Sequence, residues 1–70
     1  MTKLEQLCEI EGLTVEELVK SGTFDGTCYG ICTNEGCEYT TEVEPDQTQG
    51  WCEVCNTQTV KSGLILAGII

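Results

Sequence analysis

Five of the six cysteines lie between positions 28 and 55, and their spacing constrains this chain more than any other feature. It runs Cys28, three residues, Cys32, four residues, Cys37, fourteen residues, Cys52, two residues, Cys55. A C-x2-C pair sets two sulfurs on one tight turn whose backbone N–H groups can hydrogen-bond the thiolates, which makes half of a tetrahedral metal site. Cys52 and Cys55 are such a pair. The other half comes from the group at 28, 32 and 37, with Cys32 and Cys37 preferred because Gly36 permits a tight backbone just before Cys37. Cys28 with Cys32 makes a workable alternative knuckle that leaves Cys37 spare. Two thiol pairs flanking a hairpin, with no His in the chain, suit a four-sulfur site, and zinc is its commonest occupant.

Composition shows why such a chain needs an ion. The apolar fraction is 40 % of 70 residues, or 28, and six of these are the cysteines, so 22 side chains are left to build a core. A single core in so short a chain supplies only about 3–5 kcal/mol. Apparent zinc binding of roughly 10–16 kcal/mol in finger peptides exceeds that. With four thiolates and a divalent ion adding −2, the formal charge of −9 would approach −11. The competing use of the thiols is a disulfide framework. Residues 1–22 are acidic and lack the apolar stretch of about 7–15 residues that marks a secretory signal, so a reducing, cytoplasmic setting is expected and the thiols are expected as ligands. Cys8 shares a helical face with Leu4 and Leu7 and is expected to pack as a small apolar side chain.

The remaining pattern predicts a small α+β metal-stabilised domain. Residues 1–22 read as an αα-hairpin: Thr2 with Glu5 and Thr14 with Glu17 are capping boxes, Gly12 ends the first helix, and Ser21 with Gly22 stop the second. Leu4, Leu7, Val15, Leu18 and Val19 form its apolar stripes. Residues 23–31 read as a connection and 32–61 as a zinc ribbon, a β-hairpin or three-stranded sheet. In it, residues 38–43 form a strand, 44–47 with Pro45 a turn, 48–52 the returning strand and 57–61 a third. Residues 62–70 are apolar and ambiguous between strand and short helix. They are expected to lie over the helical hairpin of the same chain; burial in a neighbouring subunit of an assembly is the alternative.

The segments 30–40, 42–47, 50–55 and 59–62, among them Cys32-Thr33-Asn34-Glu35-Gly36-Cys37 and Gly50-Trp51-Cys52-Glu53-Val54-Cys55, resemble a group of small zinc-ribbon proteins common in bacteriophage and environmental sequences. The resemblance covers residues 30–70, and its core is also similar to the wider zinc-ribbon superfamily. It implies zinc at Cys32, Cys37, Cys52 and Cys55, leaves Cys28 outside the motif, and implies no activity. Rubredoxin, which holds iron on four sulfurs for electron transfer, is similar in acidity and size. Its knuckles are two C-x2-C pairs followed by Gly, whereas here one pair is C-x4-C and Asn56 follows Cys55.

Charge narrows the function. Three scattered lysines, Lys3, Lys20 and Lys61, with no Arg, form no basic stripe, so direct nucleic-acid binding and docking on anionic lipid are disfavoured. The helical hairpin has the rhythm of a helix-turn-helix reader, but its net charge of −3 would repel phosphate. The run from Leu64 to Ile70 is far shorter than the roughly 20 residues a membrane span needs. Without His the usual general base is missing, and four thiolates close a zinc shell that catalysis needs open. Glu42, Glu44 and Asp46 read as a solvated hairpin tip rather than an acid pair or a calcium site. A monomeric, non-catalytic binding module is expected, its six acidic residues from Glu35 to Glu53 presenting a negative face to a basic or apolar protein surface. Mimicry of nucleic acid against a host enzyme is the sharper form of that expectation. Iron electron transfer is the alternative.

Overall fold

Two capping boxes start the helices at the N-terminal end. In the computed structural model, which describes residues 2–26 and 28–69, helix α1 spans Lys3–Glu11. The backbone N–H of Glu5 donates to Thr2 Oγ1 (3.2 Å) and that of Thr2 donates to Glu5 Oε1 (3.0 Å), which satisfies two of the donors a helix start leaves open. Gly12 ends α1 in the left-handed region, φ 70°. Thr14 and Glu17 repeat the box for helix α2, Val15–Lys20. Leu7, Cys8 and Leu18 are buried as expected, but Val15 is 42 % exposed, so the apolar stripe of α2 is narrower than its sequence implies. Ser21 and Gly22 do not stop the second helix. The chain runs on through a π-helical turn, Ser21–Asp25, to Gly26 at φ 70°. Gly22 serves packing instead, since a Cβ there would stand 2.9 Å from Leu64 Cδ1.

Four strands follow: β1 Cys28–Cys32, β2 Thr40–Val43, β3 Gly50–Cys52 and β4 Thr57–Ser62. They form one antiparallel sheet in the order β2-β1-β4-β3. This corrects three expectations. The sheet has four strands rather than three; residues 28–31, the end of the stretch expected to be a connection, form a central strand together with Cys32; and β2 and β3, expected to pair as one hairpin, lie at opposite edges. Strand β1 is central because Cys28, Gly30, Ile31 and Cys32 are all buried, and a strand buried on both faces needs a neighbour on each side. Residues 44–49 are therefore a crossover, tied down where the Ser62 N–H donates to the Gln47 carbonyl (2.9 Å) and the Ser62 hydroxyl to the Pro45 carbonyl.

The two faces of β1 carry two small cores. Ile31 packs with Leu7, Cys8 and Leu18 under the helices. On the other face, register places Cys28 opposite Val43, Gly30 opposite Thr41 and Ser62, and Cys32 opposite Val60. The second core joins Cys32, Cys37, Cys52 and Val60, with Tyr39, Val43 and Cys55 partly buried around it. Val60 is its one buried aliphatic side chain among the described residues.

The C-terminal segment resolves into both of its readings. Strand β4 runs to Ser62, whose hydroxyl accepts from the Ile65 N–H (3.2 Å) and caps a short helix, α3, Gly63–Leu66. Gly63 abuts Leu18 and Leu7, and Leu64 covers Gly22, so this segment lies on the helical hairpin of its own chain. Ile69 is exposed, and Ile70 lies outside the described residues. No helix among the described residues is long and apolar enough to cross a membrane.

Candidate metal centre

Sheet order brings the cysteines together. Strands β1 and β3 both run antiparallel to β4, so they point the same way and their following turns lie at one end of the sheet. Cys32 ends β1 and Cys52 ends β3; Cys37 and Cys55 sit in the two turns. In the first turn the Cys32 N–H donates to the Tyr39 carbonyl (2.9 Å) and the Cys37 N–H to the Asn34 carbonyl (3.1 Å), with Gly36 at φ 83°. The left-handed Gly36 is the freedom that favoured Cys37 in the sequence. In the second turn the Asn56 N–H donates to the Cys52 carbonyl (2.8 Å), and the Cys55 N–H donates to Cys52 Sγ (3.3 Å). Asn56 adopts φ 57°. Asn tolerates this region better than other non-glycine residues, so it fills the place where a glycine would otherwise be needed.

The sulfurs of Cys32, Cys37, Cys52 and Cys55 all lie within 4.8 Å of one another. Cys32 and Cys55 are 3.9 Å apart and Cys37 and Cys52 3.7 Å apart. No pair is bonded as a disulfide; all six cysteines are free thiols. A zinc–sulfur bond of about 2.3 Å gives a tetrahedron with an edge of about 3.8 Å, so the donor set fits a tetrahedral metal ion in both chemistry and spacing. Cys28 is not in this group. It is buried in the sheet opposite Val43, its Sγ donating to the Tyr29 carbonyl (3.6 Å). Of the two knuckles left open by the sequence, the structure therefore assembles the one made by Cys32 and Cys37. Cys8 packs in the helical core, where burial pushes its thiol up. Glu42, Glu44 and Asp46 do not converge; among the described residues the four cysteines are the one such cluster.

Charge is unevenly shared within the cluster. Burial disfavours the Cys32 thiolate, but the Thr59 hydroxyl, the Asn34 backbone and the Cys37 and Cys52 thiols outweigh it and lower this group to about 7. Cys37 goes the other way. The Tyr39 backbone favours its thiolate, yet burial and the crowding of Cys32, Cys55 and Cys52 push it up to about 12. Like charges this close cannot all form without a cation between them, and a divalent ion supplies one.

Several contacts around the sulfurs had no place in the sequence reading. Thr59 Oγ1 lies 3.1 Å from Cys32 Sγ and 3.0 Å from Thr57 Oγ1, and Asn34 Nδ2 donates to Thr57 (3.5 Å). The Thr59 carbonyl accepts from both the N–H and the hydroxyl of Thr33, each at 2.8 Å. Lys3 Nζ donates to the Cys37 carbonyl (2.5 Å), which ties α1 to the first turn. The Thr-x-Thr alternation at 57 and 59 was the available signal, because alternate residues of a strand share a face.

Compared with models of protein families, with curated proteins and with solved structures, the chain matches none of them.

Proposed function

We propose that Cys32, Cys37, Cys52 and Cys55 hold one zinc ion in a closed all-sulfur shell, and that the zinc-braced ribbon is a non-catalytic module that binds a basic protein surface. The observation that carries this reading is the sulfur cluster, with two Sγ pairs at 3.7 and 3.9 Å and all four sulfurs within 4.8 Å. An all-thiolate set suits zinc, and four protein ligands leave no open position for a substrate. The second core needs such an ion, because one buried valine cannot hold two turns and four thiols together. The bound ion adds no positive charge overall, so the ribbon stays strongly acidic and attracts basic partners.

Two measurements on the purified chain test this. Elemental analysis of protein produced without added metal should give one zinc per chain, and a colourless solution; a red protein carrying iron supports the rubredoxin-like alternative instead. Binding to labelled protamine, an arginine-rich protein, should weaken at least about tenfold between 50 and 300 mM salt, and the chelated chain should bind more weakly than the metal-loaded one. Equal binding by the two forms would mean that charge alone attracts the partner and that the braced shape contributes nothing.

A further inference from the structure

We propose that the open groove between the two edge strands, β2 and β3, is the contact surface of this module and receives an arginine side chain from an extended basic segment of a partner protein. The inference rests on the interaction-module reading and adds the place and the chemistry. The groove encloses about 610 Å³ and is lined by Tyr39, Val43 and Trp51, with Glu42, Glu44 and Glu53 also in its lining.

Trp51 is 53 % exposed, although its neighbours Gly50 and Cys52 are buried. The β3–β4 register shifts between those two neighbours, an irregularity of the kind that re-aims a side chain. In a chain short of apolar side chains, an indole left at a groove wall is available for contact rather than for the core. No Lys lines the groove, and the one ion pair among the described residues, Lys20 with Glu16, lies on α2. Among the described residues, the three carboxylates therefore meet no cation of their own chain there.

An aromatic face beside unpaired carboxylates selects among ligands. An apolar occupant would strip water from the carboxylates without replacing it, and a phosphate would be repelled. A guanidinium stacks flat on an indole while its fork hydrogen-bonds a carboxylate in two places; a lysine ammonium has no such plane or fork. The partner segment is expected to be extended, because β2 and β3 are both edge strands, each unpaired on one side within the sheet, and residues of both line the groove.

The test is a nuclear magnetic resonance titration of the metal-loaded chain with tetra-arginine amide at 50 mM salt. Expected shifts concentrate on the Trp51 indole N–H and on the amides of residues 41–44 and 50–53. Trp51→Ala and the double variant Glu42→Gln with Glu53→Gln should each weaken binding about fivefold or more, Trp51→Phe less, and tetra-lysine should bind more weakly than tetra-arginine. The charge-matched double variant Glu9→Gln with Glu16→Gln, on the helices, should change affinity less than twofold. Equal losses from the groove and helix variants, shifts spread over every acidic surface, or equal affinity for the two peptides would overturn the groove assignment while protamine binding by the metal-braced chain could still stand. Failure of the chain to bind either peptide or protamine would remove the interaction-module reading as well. Each variant's amide dispersion, recorded before titration, shows whether the fold is kept.

Discussion

The Thr59 hydroxyl stands 3.1 Å from the Cys32 sulfur and 3.0 Å from the Thr57 hydroxyl, so among the described residues Cys32 has a side-chain hydroxyl donor that the other three cluster sulfurs lack. Removing that donor should weaken the metal without removing a ligand. Thr59→Val is expected to lower zinc affinity by about 10-fold or more, in line with losses of outer hydrogen bonds at metal sites. Thr59→Ser should keep most of it. Competition against a chromophoric chelator reads the difference, and equal affinity in both variants would show that this hydrogen bond does not tune the site.

Serine substitutions sort the six thiols. Cys32→Ser, Cys37→Ser, Cys52→Ser and Cys55→Ser are each expected to lose stoichiometric zinc. Cys8→Ser and Cys28→Ser should keep one zinc per chain and lose about 1–3 kcal/mol by placing a hydroxyl in a buried site. Elemental analysis and thermal melting measure the two effects separately. A zinc-free Cys28→Ser would return the alternative knuckle to consideration.

Acid should release the ion, and the sign follows from proton counts. The metal-bound fold holds four thiolates, whereas an unfolded chain holds four thiols below about pH 8.5. The unfolded state therefore binds more protons, so stability rises with pH and falls on acidification, by up to about 5 kcal/mol per pH unit if all four protons count. Within the metal-free cluster the two resolved thiols act in opposite directions. Cys32, lowered to about 7, contributes stability that is present above the ordinary thiol range and is lost as pH falls through 7. Cys37, raised to about 12, contributes stability that is full below the ordinary range and is lost as pH rises toward 12. Melting curves of the loaded chain at pH 7.5 and pH 5.5 should differ strongly, and coincident curves would contradict a thiolate-held ion.

Gly30 tests the central strand. A Cβ there would lie 2.7 Å from the Lys61 carbonyl oxygen and 2.9 Å from Val43 Cγ2, so backbone must move to admit it. Gly30→Ala is expected to destabilise the chain by about 1–3 kcal/mol while zinc stoichiometry stays at one. Denaturant titration checks this; an unchanged midpoint would argue against the β2-β1-β4 arrangement.

What the sequence revealed, and what it hid, follows from the range of each signal. The helix starts were legible because a capping box is complete within four residues, and both boxes are present. The choice of Cys37 over Cys28 was legible for the same reason, since Gly36 is adjacent and its left-handed backbone is local. Strand pairing was not. Pro45 and Asp46 mark a turn wherever the chain goes next, and nothing near them shows that β1 takes the place beside β2 that β3 was expected to fill. Strand β1 itself was obscured by its composition, because two cysteines and a glycine in five residues look like a knuckle. Gly22 misled in the same way: its lack of a side chain accommodates Leu64, a contact made forty-two positions away, and does not stop the helix.

Chelation tests the central claim most directly. A metal-loaded chain treated with excess EDTA under reducing conditions should give up one zinc. The dispersed amide signals of residues 28–61 should collapse toward the random-coil region and return when zinc alone is restored. A spectrum of those residues that keeps its dispersion after the zinc is gone, or a chain that never carried an ion, would contradict the account.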